Sequence, residues 1–193
     1  MNQMATNFNK IIAKLPQLIS ILSKINSADI KYGLYAGSHV SILTSNRVPT
    51  DVDFLVADED FIKLKKLFPF AKEKNYDDGK FLYIGEHDEI ECMSFGGLKI
   101  GNFRYFFRLS NLCWENTNLI EGDGFKVRVL NEVDTILSKA MLQRGKDLGK
   151  HDLEDIEAIL QTQDIDKEYL KKRLLEVNPD ERLIKVLKKF GLI

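Results

Sequence analysis

Two acidic side chains two residues apart, Asp51 and Asp53 in the run DVDFLV, carry more potential chemistry than any other short stretch of this sequence. Polar and apolar residues alternate there before the run turns fully apolar, which predicts a strand over 51–56 with one exposed end. Residues two apart on a strand share a face, so the two carboxylates stand side by side while Val52, Phe54 and Val56 enter the opposite layer. Like charges held that close are costly unless something positive sits between them. A divalent cation is the natural partner, and oxygen-only ligands favour Mg²⁺ or Mn²⁺ over zinc. Upstream, Gly37-Ser38 precedes the pair by an interval of twelve residues. A glycine lets backbone approach a ligand closely. A helix starting at Ser38 offers unpaired N–H groups and a favourable dipole to phosphate, with the Ser38 hydroxyl as an added donor. Phosphate cradle and metal site would then share one edge.

The elements that must hold these residues follow from periodicity. Ile11, Ile12, Leu15, Leu18, Ile19 and Leu22 recur at helical spacing across 8–25, interrupted by Pro16, which predicts one or two helical pieces with one apolar face. A short strand is expected over 31–36, a brief helix over 38–43, the Asp51 strand, and a helix over 59–67 closed by Pro69. Residues 81–85 and 90–95 are two further strand candidates. Beyond Gly96-Gly97, short extended pieces are expected, the last two joined as a hairpin by Gly122-Asp123-Gly124. From Asn131 onward the pattern is helical, over 131–144, 150–161, 166–177 and 179–190, with Asn131, Asp166 and Asn178 as N-caps and Pro179 at a first helical position. The fold class expected is α+β: a small mixed sheet flanked by helices, an α/β core over 1–130, and a C-terminal helical region over 131–193.

Composition excludes several classes. The chain has 193 residues, 44% hydrophobic and 30% charged, with 28 basic against 29 acidic side chains, which places it among soluble globular proteins and argues against a surface that is basic throughout. Cys92 and Cys113 lie in mixed apolar surroundings without metal-type spacing, so a reduced, cytoplasmic chain is expected. The first residues show no continuous apolar h-region or small-residue cleavage site, and no apolar run reaches about 18 residues, so neither secretion nor a membrane partner is expected.

The run from Tyr35 to Val56, YAGS followed by RVPTDVDFLV, resembles the nucleotidyltransferase superfamily of the DNA polymerase beta type. Its signature is Gly with Gly or Ser, a spacer, then Asp-apolar-Asp/Glu-apolar. Arg47 resembles the arginine that precedes the Asp pair in small AbiEii-type members, and with Gly37 and Ser38 it completes the implied nucleotide-binding set. The family carries a third carboxylate on a neighbouring strand. Glu91 fits that place, flanked by Ile90 and Cys92, with Glu89 in reserve nearer the turn. The resemblance implies Mg²⁺ or Mn²⁺ held by Asp51, Asp53 and Glu91, and a nucleoside triphosphate as substrate. The reaction implied is attack of a hydroxyl on the α-phosphate with release of pyrophosphate. Glu91 would complete the metal site and take the proton of the attacking hydroxyl. The acceptor is left open among RNA, a protein hydroxyl and a small molecule such as an aminoglycoside. The segment from Arg144 to Leu160 resembles the Lys-Asp-x-x-Asp helices of AbiEii-like proteins, which would bring Lys139, Arg144 or Lys146 to nucleotide phosphates.

Blander readings accompany these. Ser38 serves equally as a helix N-cap. His39 and His87 are expected on a helix surface and in a turn, and His151 has no second histidine at ligand spacing, so zinc is not expected. Phe103 to Arg108 alternates aromatic and basic residues and could stack single-stranded nucleic acid, although a core strand with two exposed arginines explains it as well. A non-catalytic module that uses the same cleft to bind a nucleotide, RNA or protein is the rival to the enzyme.

Overall fold

The computed structural model describes residues 3–46 and 48–193. Pro16 divides the first apolar stripe as expected, giving α1 (Gln3–Lys14) and α2 (Gln17–Ser27). The succession β1 (Tyr32–Tyr35), α3 (Ala36–Thr44), β2 (Val52–Val56) and α4 (Phe61–Leu67) follows. Next come β3 (Lys72–Tyr76), β4 (Gly79–Ile84), β5 (Ile90–Phe95), and the short pair β6 (Leu98–Ile100) and β7 (Phe103–Tyr105). The chain continues through α5 (Asn111–Glu115), the hairpin β8 (Asn118–Gly122) and β9 (Phe125–Val129), and then α6 (Glu132–Leu142), α7 (Asp152–Thr162), α8 (Lys167–Val177) and α9 (Glu181–Lys189).

Seven strands form one sheet in the order β3-β4-β5-β2-β1-β9-β8, and β6 with β7 form a separate ribbon. The large sheet is mixed: β2 runs parallel to β5 and β1 parallel to β9, while the other neighbours are antiparallel. The protein is therefore α+β, a mixed sheet flanked by helices. Each face of the sheet carries its own apolar layer. Val52, Phe54 and Val56 pack on one face against Phe8, Leu18 and Phe61, the layer covered by α1, α2 and α4. Leu55, Met93 and Phe95 point to the other face and pack in one cluster with Val133, Ile136 and Leu137 of α6 and Leu183 and Leu187 of α9. Alternation along β2 thus sends odd and even residues into two different cores. Among the described residues, no helix is long and apolar enough to cross a membrane.

Differences from the sequence expectations have local causes. The strand β3, KEKNY, was not expected, because an edge strand with little buried surface needs no apolar alternation. Helix α5 was expected as an extended piece; Ser110 caps it by accepting from the Cys113 N–H at 3.2 Å. Asn178 is not an N-cap. It ends α8 in the left-handed region, which asparagine tolerates, and the Asp180 carboxylate caps α9 by accepting from the Leu183 N–H at 2.8 Å, so Pro179 lies before the cap.

Candidate active site

The site is set by strand register. Parallel pairing places Asp53 of β2 directly beside Glu91 of β5, antiparallel pairing places Tyr35 of β1 on its other side, and Tyr83 of β4 lies opposite Glu91. Partners in register share a face. The row Tyr35-Asp53-Glu91-Tyr83 therefore crosses four strands, two carboxylates flanked by two phenols. Asp53 and Glu91 are hydrogen-bonded through their side chains, and Asp51 lies close enough to bear on Asp53 electrostatically. Burial, the Asp51 charge and the Glu91 charge together push the Asp53 carboxyl up to about 8, so at neutral pH Asp53 holds its proton. Glu91, not Glu89, is the acid that faces Asp53. Glu89 folds back onto its own turn, accepting from the His87 N–H at 3.3 Å, while its carbonyl holds the Val52 N–H at 2.8 Å.

On the other side of Asp53, β1 leads straight into α3. The helix begins at Ala36, two residues before the position expected from sequence, so Gly37 is inside its first turn. Ala36 has φ 56°, a left-handed conformation that costs a non-glycine residue of order 1 kcal/mol. A β-carbon added to Gly37 would meet nothing within 4 Å, so the surrounding protein does not demand a glycine there. The open space belongs to a cleft of about 540 Å³ that Gly37, Asp51, Asp53 and Glu91 all line. This is a cradle that a side chain would fill, beside the unpaired N–H groups of a helix start.

Ser38 corrects the expectation of a hydroxyl free for phosphate. It is buried, and its hydroxyl donates to the Asp51 carbonyl at 2.8 Å, which ties the helix start to the first acid of the pair. His39 is not on the helix surface but fully buried, with Nδ1 at 2.8 Å from Thr135 Oγ1 of α6. Burial drives its pKa down to about 3, so the ring is neutral. His87 is an exposed turn residue, as expected. Arg47 lies outside the described residues.

The helical region closes the cleft from above through Ser138, Lys139, Leu142 and Arg144, followed by Gly149, Lys150 and His151 of the loop between α6 and α7. Lys139 is already committed: it is buried between Asp152 at 3.0 Å and Asp155 at 2.8 Å. Arg144 pairs with Asp152 at 2.9 Å, and Lys146 with Glu154 at 3.7 Å. Against the push of burial, hydrogen bonds from Arg144 and the charge of Lys139 hold the Asp152 carboxyl below the usual range. The acids of the segment 144–160 thus lock α7 to α6. Lys150, exposed at the cleft, pairs with no carboxylate among the described residues.

Sequence reasoning missed the remaining wall. Phe81, Met93 and Phe95 lie on the same sheet face as Glu91, joined by Leu98 and by Asp78 from the β3–β4 turn. Period-two alternation onward from Glu91 was the signal available for two of these positions, Met93 and Phe95. The aromatic and basic run is split: Tyr105 and Phe107 are buried, Phe103 is half-buried, Phe106 and both arginines are exposed, and Arg104 donates to the Asp77 carbonyl at 3.3 Å.

Among the described residues, no three His, Cys, Asp or Glu side chains are gathered into a preformed metal-holding set. The donor chemistry nevertheless fits a hard divalent cation. Asp53 and Glu91 converge, Asp51 lies beside them, all offer carboxylate oxygen, and their mutual repulsion is what such a cation relieves.

No family model matches the chain, and no curated protein matches it in sequence. Solved structures do match in fold, nine chains in all. The crystal structure of ANT(2'')-Ia in complex with adenylyl-2''-tobramycin aligns with a TM-score of 0.57 at 11% identity, over 92% of this chain and 99% of its own. An antigenic nucleotidyltransferase-like protein from Paracoccidioides brasiliensis aligns at 0.54 and 17% identity, over 89% and 84%. The lincosamide antibiotic adenylyltransferase LnuA, lincomycin-bound, aligns at 0.50 and 15% identity, over 77% and 97%. The chain shares the fold of these structures, the nucleotidyltransferase fold that the motif resemblance implied.

Proposed function

We propose that this protein is a nucleotidyltransferase that moves a nucleoside monophosphate from a nucleoside triphosphate to an acceptor hydroxyl. The observation that carries the reading is the register pairing of Asp53 with Glu91 in a cleft that also exposes Gly37 at the start of α3. One edge thereby joins a carboxylate cluster to an anion cradle, which is what attack on the α-phosphorus of an anionic phosphoanhydride requires. The names of the aligned proteins, two of them antibiotic nucleotidyl- or adenylyltransferases, support it.

Asp51, Asp53 and Glu91 would hold Mg²⁺ or Mn²⁺, which when bound supplies charge neutralisation and lowers the pKa of a coordinated hydroxyl. The chain's own residues do the rest. Backbone N–H groups of Gly37 and Ser38 take the triphosphate. Ser38, through the Asp51 carbonyl, fixes where the first carboxylate begins. Glu91, on the side away from α3, accepts the proton of the attacking hydroxyl. Tyr83 is hydrogen-bonded with Glu91 and holds it in place. Lys150 supplies the uncommitted positive charge on the roof of the cleft. The boundary proposed for the sheet-bearing core is residue 130, with 131–193 as its helical roof.

Calorimetry with a panel of nucleoside triphosphates, with and without Mg²⁺, tests the reading. Metal-dependent binding that is lost in Asp53→Asn and Glu91→Gln, together with pyrophosphate release in the presence of acceptor, is the expected result. Binding indifferent to metal and to both substitutions would leave the non-catalytic binding module instead.

A further inference from the structure

The cleft has two chemically different halves, and the second half points to a class of acceptor; the inference rests on the nucleotidyl-transfer reading. Strand order fixes the halves. The helix start that would take the triphosphate follows β1, on one side of β2, whereas β5 and β4 lie on the other side. In-line displacement brings the nucleophile to phosphorus opposite the departing pyrophosphate. With the pyrophosphate on the α3 side, the acceptor hydroxyl enters from the β5–β4 side.

That side is apolar. Beyond Glu91 the same sheet face presents Met93 and Phe95, with Phe81 directly opposite Met93 in register and Leu98 of the β6–β7 ribbon at the end. Met93 is held by the Tyr35 hydroxyl, which donates to its sulfur at 3.1 Å. One carboxylate, Asp78, lies among them, and it already accepts from the Lys99 N–H at 3.2 Å. A polycationic sugar would find no ring of acids here. The aromatic and basic run over 103–108 turns Tyr105 and Phe107 into the core, and none of its residues lines the cleft, so it offers an acceptor there no stacking platform. At about 540 Å³ the cleft has the size of a small-molecule site.

We infer that the acceptor is a small molecule that carries its hydroxyl on an apolar, ring-sized body, which lies against Phe81, Met93, Phe95 and Leu98. In the step implied, the acceptor oxygen forms a bond to the α-phosphorus and the bond from that phosphorus to the β-bridging oxygen breaks. Pyrophosphate leaves with that electron pair, and the hydroxyl proton passes to the Glu91 carboxylate.

The test offers the full chain Mg²⁺, α-labelled nucleoside triphosphates and four acceptors: lincomycin and a phenyl glucoside as amphiphilic hydroxyl compounds, tobramycin as a polycation, and single-stranded RNA. Label is expected on one or both amphiphiles and on neither tobramycin nor RNA. Phe81→Ser should raise KM for the labelled amphiphile at least tenfold and leave nucleotide affinity within twofold of the parent. Leu98→Ser, at a half-exposed ribbon position, is the second variant should Phe81→Ser fail to fold. Label on tobramycin or RNA, or on neither amphiphile in a protein that binds nucleotide, overturns the inference. Loss of nucleotide affinity in both wall variants also overturns it, because the wall would then hold the base. Failure of the parent protein to bind any triphosphate with Mg²⁺ sinks the transfer reading itself and is told apart by that measurement.

Discussion

Asp53 sits where two requirements oppose each other: it is set into the sheet face between Tyr35 and Glu91, yet the proposed chemistry needs it ionised. Its pKa of about 8, raised first by burial and then by the Asp51 and Glu91 charges, makes the apo site a proton holder. The sign for stability follows. In the unfolded chain an aspartate ionises near pH 4, so between about pH 4 and 8 the folded state binds the extra proton and stability falls as pH rises through that window. Asp53→Asn removes the titration. The variant is expected to melt higher than the parent at pH 8.5, with the gap shrinking towards pH 4.5, while transfer activity falls at least 100-fold at every pH. Thermal melts across that range decide it, and a gap that grows towards acid would contradict the proton assignment. Titration with Mg²⁺ at pH 7 should also release protons from the parent and not from the variant. The acids themselves were legible in the sequence because the spacing Asp-x-Asp states a shared strand face on its own. The choice of Glu91 needed the family likeness, and the roles of Tyr83 and Phe81 needed register, which pairs residues far apart in the chain and leaves no mark in a local pattern.

Among the elements, α6 and α7 show how a charge-rich sequence can mislead. Lys139, Arg144 and Lys146 look like a phosphate grip when read along the chain, but folding pairs each with an acid from α7. The first of these pairings is buried on both sides, with side-chain exposure of 5% for Lys139 and 0% for Asp152. Removing one member of a buried pair leaves the other uncompensated at a cost of about 3–5 kcal/mol; here Asp152 keeps Arg144, so Lys139→Met is expected near 3 kcal/mol in urea denaturation. A loss under about 1 kcal/mol would mean the pair does not hold the two helices together. Lys150 is the contrasting case. An exposed lysine with no carboxylate to leave behind, it should cost less than about 0.5 kcal/mol when changed to alanine. The same change should weaken nucleoside triphosphate binding several-fold and leave nucleoside monophosphate binding unchanged; calorimetry on both ligands separates a phosphate contact from a general loss. Helices and buried strands were legible because their apolar periodicity is a demand of the core. The edge strand β3 was not, since an element that buries little is under no such demand. The start of α3 was misplaced because the left-handed Ala36 leaves no compositional trace.

For the molecule as a whole, the change at residue 130 from strands to helices invites a reading as two parts, but the packing opposes independent folding. Leu55, Met93 and Phe95 from the sheet occupy one apolar cluster with Ile136, Leu137, Leu183 and Leu187 from the helices, and Leu130 at the junction packs over Gly33, where a β-carbon would come within 2.1 Å of its side chain. The helices form the second apolar lid of the sheet, just as α1, α2 and α4 form the first. A second tie runs through polar groups: His39 Nδ1 of α3 lies 2.8 Å from Thr135 Oγ1 of α6, and the Tyr105 hydroxyl of β7 donates at 2.7 Å to the Asp180 carboxylate that caps α9. Without residues 131–193, the face that carries Asp53 and Glu91 would lose its apolar cover and the cleft its roof. The 193-residue chain is therefore expected to unfold in a single transition, with Trp114 fluorescence and far-ultraviolet circular dichroism giving the same denaturant midpoint. The fragment 1–130 is expected to lack a cooperative melt. Separated midpoints, or a fragment that melts cooperatively on its own, would show that the sheet holds its site without the helices. The transfer chemistry would then have to be sought in the first 130 residues alone, with the proposed role of Lys150 given up.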